Sequence, residues 1–142
     1  MPPPKAIDSS AKVGVLACID PRYTARLEKF LVDDKELHGD YDMFCLAGAE
    51  LGAITHLKWR KVLFEHIKLM IQLHKINSIY CFSHLDCGAY KAFLNLEKDD
   101  DASLHSKELR KFKKMILKNF PDMSFRGYLM DLEGNIKLVV KH

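Results

Sequence analysis

No apolar run in these 142 residues approaches the length of about 18 that a membrane-spanning helix needs, so no such helix and no membrane partner are expected. Strong charge of either sign is missing as well. A formal net charge of +3 is too mild to imply a nucleic acid as partner. There is no internal repeat. The opening Met1-Pro2-Pro3-Pro4-Lys5 lacks the apolar core of a secretory signal, which leads to the expectation of a cytoplasmic protein. Thiols stay reduced in that compartment. For at least some of the four cysteines, metal binding is therefore a better reading than disulfide formation.

What is present suits one domain. Apolar residues make up 48% of the chain, enough to bury a real core. Residues 1–10, Pro-rich and then Ser-rich, are expected to be loose, with a single domain over 11–142. Short apolar runs predict strands over 12–18, 41–46 and 78–83. Two more, over 124–132 and 136–140, flank the tight turn Glu133-Gly134-Asn135. Helices are expected over 22–31, 59–74, 87–94 and 106–120. In the first, Leu27, Phe30 and Leu31 face inward; in the last, Leu109, Phe112, Ile116 and Phe120 do. Segments 33–40, 47–52 and 97–102 read as loops or turns. Strands alternating with helices give an α/β fold. The expected architecture is a mostly parallel sheet of about four strands with an antiparallel edge strand and helices on both faces.

The chemistry gathers at strand ends. Ile79-Tyr80-Cys81-Phe82 reads as a buried strand, and the following corner carries His84 and Cys87. Gly88 allows a tight turn into a helix. An imidazole and a thiol are too few ligands for zinc, so a third should come from another strand end. Cys18, after the run Val13 to Ala17, supplies it. In such sheets ligands collect beyond the carboxyl ends of strands, where strand order reverses. Two thiolates and one imidazole balance the charge of one Zn2+ per chain. Three protein ligands also leave the open position of a catalytic rather than structural zinc. A water there is acidified from a pKa of 15.7 towards about 7 in favourable sites. Asp20 can return a carboxylate to this place, and the planar fork of Arg22 can hold it in two hydrogen bonds.

Cys18-x-Asp20-x-Arg22 followed downstream by His84-x-x-Cys87-Gly88 resembles the β-class carbonic anhydrases, in particular their small, compact members. The resemblance covers nearly the whole chain. Segment 42–48 is similar to the family's second strand and Ala-Gly turn, and 127–140 to its terminal strand pair. It implies zinc on Cys18, His84 and Cys87 beside an Asp20–Arg22 dyad. The implied activity is reversible hydration of carbon dioxide to bicarbonate by zinc-bound hydroxide that the dyad orients. The implied assembly is a homodimer or higher homo-oligomer. Pro21 stands where the family usually has serine, and Cys45-Leu46 where Arg-Asn is common. Hydrolysis of carbonyl sulfide or carbon disulfide is an alternative on the same site. A non-catalytic zinc-stabilised binding module is the alternative of another class.

Blander roles are expected elsewhere. Cys45 and Cys81 lie within apolar strands and read as small core residues. His38, His56, His66, His74, His105 and His142 are expected to be solvated. The basic run Lys107, Arg110, Lys111, Lys113, Lys114 and Lys118 reads as the solvent face of a helix. Asp99-Asp100-Asp101 lacks the spacing of a calcium loop and reads as an exposed turn. Phe44, Leu51, Trp59 and Tyr90 are candidates for a pocket wall or an interface.

Overall fold

The computed structural model describes residues 10–142, so the loose segment expected over 1–10 lies, Ser10 apart, outside the described residues. Five strands form one sheet: β1 (Val13–Ala17), β2 (Tyr41–Cys45), β3 (Ser78–His84), β4 (Ser124–Met130) and β5 (Ile136–Lys141). Their order is β2-β1-β3-β4-β5. The first three contacts are parallel, and β5 pairs antiparallel with β4. This is the expected sheet.

Period-two alternation decides which residues meet which helices. Leu16, Ile79, Cys81 and Phe125 face one layer. That layer holds α2 (Glu50–Thr55), α3 (Leu57–His74) and α5 (Ala102–Asn119). Leu63, Ile67 and Met70 of α3 close over the sheet there, with Leu109, Phe112 and Ile116 of α5. Val13, Val15, Ala17, Phe82 and Tyr128 face the other way, onto Leu27 and Leu31. Leu27 belongs to α1 (Thr24–Lys29), which continues as a π turn over Phe30–Asp34 and carries Leu31. Helix α4 (Gly88–Phe93) follows the β3 corner. Among the described residues no helix is long and apolar enough to cross a membrane.

Three details depart from the sequence reading. Segment 47–52 is no simple turn: its second half starts α2. Gly48 supplies the bend at φ 77, and Gly52 packs so tightly that an added Cβ would clash with the Ala47 carbonyl oxygen. Helix α5 starts at Ala102 rather than 106, because the Asp101 carboxylate accepts the Ser103 N–H at 3.0 Å and caps it. Cys45 is exposed, since the chain places it at the end of edge strand β2; Cys81 is buried as expected.

The topology positions the site. β1 lies between β2 and β3, so the chain leaves β1 to one side and later returns to the other. The β1–β3 register ends at Leu16↔Cys81, while β3 runs on beside β4 to His84↔Met130. A crevice therefore opens past the carboxyl ends of β1 and β3, at the switch point of the sheet.

Candidate metal centre

Cys18 follows the last residue of β1, His84 is the last residue of β3, and Cys87 is the residue before α4. One ligand atom from each lies within 4.8 Å of the other two. The imidazole is oriented by its own neighbour: Nδ1 donates to the Leu85 carbonyl at 2.8 Å. That bond fixes the tautomer and leaves the Nε2 lone pair free. Nε2 is fully buried and has no hydrogen-bond partner among the described residues. A buried ring nitrogen without a partner costs free energy unless something else takes its lone pair. Facing two sulfurs, it completes a donor set that suits zinc. Tyr23 packs against the ring at 4.2 Å, tilted by 30°, and limits its rotation.

The two thiols share their charge unequally. The Cys87 S–H donates towards Cys18 and, with the Gly48 N–H at 3.3 Å, draws the Cys18 pKa well down despite burial. The same Cys18 charge, together with burial, keeps Cys87 protonated. A cation in the cluster would remove that conflict by binding both as thiolates.

Asp20 stands beside the cluster rather than within it. The Arg22 guanidinium donates to Oδ2 from Nη2 at 2.8 Å and to Oδ1 from Nε at 3.1 Å, and the Arg22 backbone N–H adds 2.9 Å to Oδ1. These bonds hold the carboxyl below its ordinary range, chiefly through the Arg22 side chain. Oδ2 lies 3.8 Å from His84 Nε2, so the ionised carboxylate faces the cluster while its fork stays on Arg22. Arg22 is itself held from behind. Its Nη1 donates to Asp86 Oδ2 at 2.9 Å, and Nη2 to the Asp86 carbonyl at 2.8 Å. Lys91 and Arg22 draw the Asp86 pKa to about 2. Cys18, Asp20, Arg22, Ala47 and Gly88 line an open depression of about 390 Å3. A roomier groove of about 580 Å3, between Ala25 and Tyr41, contains none of these groups.

Residues 8–140 match the family described as "Putative carbonic anhydrase". The chain belongs to that family. Two curated relatives are uncharacterized proteins of Rickettsia. The one from Rickettsia bellii is 29% identical over 137 residues, which span 92% of this chain and 83% of that protein. The one from Rickettsia conorii is 28% identical over 137 residues, spanning 92% and 73%. Among solved structures, a tetrameric β-carbonic anhydrase from the ascomycete Sordaria macrospora superposes with a TM-score of 0.59 at 12% identity, over 94% of this chain and 83% of that one. At that identity the likeness is one of fold: the chain has the β-carbonic anhydrase architecture.

All five residues singled out from the sequence therefore meet at one crevice of this carbonic anhydrase fold. The sequence reading missed what stands behind them. His105 is not solvated: it is fully buried, with Nε2 2.8 Å from both Asp99 oxygens and Nδ1 on the Ser83 hydroxyl. Asp99 is buried too, unlike its exposed neighbours Asp100 and Asp101. Glu50 is fully buried, and accepts from Ser83, Tyr90 and Cys81. Burial pushes its pKa up to about 7 against those three donors. The usable signal was position: Glu50 opens a short apolar helix, and His105 falls on the inward stripe of α5 with Leu109 and Phe112. Other histidines are engaged too: His74 pairs with Asp42 at 2.7 Å, His56 stacks on Trp59 with Phe93 tilted against it, and His66 bonds the Val62 carbonyl at 2.9 Å. Of the candidates for a pocket wall or an interface, Leu51 and Tyr90 are buried beside Cys87 and do not line the depression. The basic residues of α5 lie on its outer side as expected, Lys113 being half-buried.

Proposed function

We propose that this chain catalyses the reversible hydration of carbon dioxide to bicarbonate, with zinc held by Cys18, His84 and Cys87. The observation that carries the reading is the unpartnered, buried Nε2 of His84 set between two cysteines, with an Arg22-bound carboxylate alongside. Zinc, when bound, supplies a water acidic enough to yield hydroxide near neutral pH. The chain supplies the rest. Asp20 Oδ2, kept ionised by Arg22, accepts a hydrogen bond from the nucleophile and so directs its lone pair at the carbon of the substrate. The fork of Arg22, backed by Asp86, keeps that carboxylate from swinging into the cluster and occupying it. The open depression is wide enough for a small linear molecule, and Ala47, Gly88 and Ala89 leave part of its wall without bulky side chains.

The test is stopped-flow carbon dioxide hydration at pH 7 and pH 9, on protein of measured zinc content. Turnover that tracks zinc is expected. No turnover at either pH with one zinc per chain would reject the reading, and carbonyl sulfide and carbon disulfide would then be assayed on the same site. The variant Asp20→Asn should keep its zinc and lose about 100-fold or more in turnover, the size seen when a single transition-state partner is removed. Undiminished turnover would remove Asp20 from the mechanism. It would not touch the ligand assignment.

A homo-oligomer in the cytoplasm is part of this proposal. The open edge of β2 adjoins exposed Met43, Leu69 and Leu73, which with His66 line an apolar hollow of about 260 Å3. The tetrameric fungal enzyme of the same fold supports the reading. Light scattering should give at least twice the chain mass of 16.4 kDa; a monomer at micromolar concentration would overturn it.

A further inference from the structure

We infer that Asp99 and His105 are positioning residues that pre-form the Cys87 corner for its metal, an inference that rests on the zinc reading above. Asp99 grips this corner twice. Its side-chain Oδ2 accepts the Cys87 N–H at 3.0 Å, and its backbone carbonyl accepts the Asp86 N–H at 2.8 Å. The corner needs holding, because Asp86 sits at φ 55, in the left-handed region that a residue with a side chain enters only at a cost. The same Asp86 presents the carbonyl and carboxylate that fix Arg22. One loop residue thus sets the backbone under both the sulfur ligand and the anchor of the Asp20–Arg22 pair.

Asp99 is held in turn. The side chains of Asp99 and His105 are both wholly inaccessible, and the imidazole spans from Asp99 to the hydroxyl of Ser83, the residue before His84. Tyr90, from α4, stacks on the imidazole at 3.8 Å and donates its hydroxyl to Glu50. So α5, α4, α2 and β3 each contribute one group to a connected set, which bonds the backbone of Cys87 on one side and on the other includes Ser83, the chain neighbour of His84. Two carboxylates and an imidazole closed off from the surface are costly to bury, and they serve no surface role. Groups that orient metal ligands in this way typically change metal affinity by about 10- to 100-fold when removed.

The experiment measures zinc affinity of the full chain by competition with a chromophoric chelator. Asp99→Ala, which leaves the Cys87 N–H without an acceptor, should bind zinc at least about 10-fold more weakly than the unmodified chain. Asp99→Asn keeps an oxygen for that N–H and should recover most of the affinity, whereas a purely structural role would lower the melting temperature of both variants and leave both affinities unchanged. Equal affinities in all three would overturn the inference. If the unmodified chain takes up no zinc, the zinc reading itself fails and the inference falls with it; the two failures are told apart by that first titration. A second measurement needs no variant. In the unmodified chain with zinc chelated, the Cys87 amide should already be protected from hydrogen exchange. Free exchange there until zinc is added would show that nothing pre-forms the corner, whether or not Asp99→Ala folds.

Discussion

Cys87→Ala should leave the protein folded and without zinc. Metal per chain, measured after gel filtration, is expected to fall from one equivalent to near none, and carbon dioxide hydration should fall to the buffer rate with it. The cluster offers one donor atom from each of three side chains, so losing one thiolate leaves a two-coordinate remnant. The charge balance goes too, because one thiolate and a neutral imidazole no longer offset a divalent ion. The fold should survive. Cys87 packs against only a small satellite cluster with Leu51 and Tyr90, and the main core on α3 and α5 is untouched. Two internal controls make the result interpretable. Cys45 is exposed at the end of β2, and Cys81 points at Glu50 from within β3; neither belongs to the cluster. Cys45→Ala and Cys81→Ala should therefore keep a full equivalent of zinc. Full occupancy in Cys87→Ala would sink the ligand set.

The parts of this site that the sequence made legible are those with local signatures. Cys18, Asp20 and Arg22 stand two apart on a chain leaving an apolar run, and His84 and Cys87 flank a corner that ends in glycine. Strand ends in an alternating α/β chain converge by topology alone, so the meeting of Cys18 with His84 required no knowledge of side-chain contacts. The supporting set had no such signature. Ser83, Glu50, Asp99 and His105 come from four separated segments, and each is polar, a type whose default place is the surface. Only packing shows that α5 carries His105 on the same stripe as Leu109 and Phe112, and so drives it inward. The helix α2 was hidden for a related reason. Ala47-Gly48-Ala49 looks like a turn, and it is one, but the turn ends by delivering Glu50 to a helix that the sequence offers only six residues to announce. Cys45 misled in the opposite direction, because apolar neighbours cannot tell an edge strand from a central one.

Glu50→Gln should make the protein more stable than its parent at pH 8 and leave it equal at pH 4.5. In the folded chain burial raises the Glu50 pKa from 4.5 to about 7, outweighing the three donors aimed at it. Between those values the native state keeps a proton that the unfolded state has lost. The stability it contributes is therefore fully present below pH 4.5 and is lost as pH rises through 7. Over that interval the loss is on the order of 3 kcal/mol, taking about 1.36 kcal/mol per pKa unit. Glutamine mimics the protonated acid: its oxygen can accept from Ser83 and Tyr90, and its amide faces the Cys81 sulfur that lies 3.6 Å from Oε2. It lacks the titration, so the gap between variant and parent should open with pH and become flat above 7. His105 works with the opposite sign. Burial lowers its pKa, so the stability it contributes is lost as pH falls below its ordinary value of 6.5. Both proteins keep that acid limb, and the difference between them cancels it. Urea unfolding at pH 5, 6, 7 and 8 measures the gap directly. A gap that stays constant across the four would mean that Glu50 is ionised throughout, and that its three donors rather than its burial decide its charge.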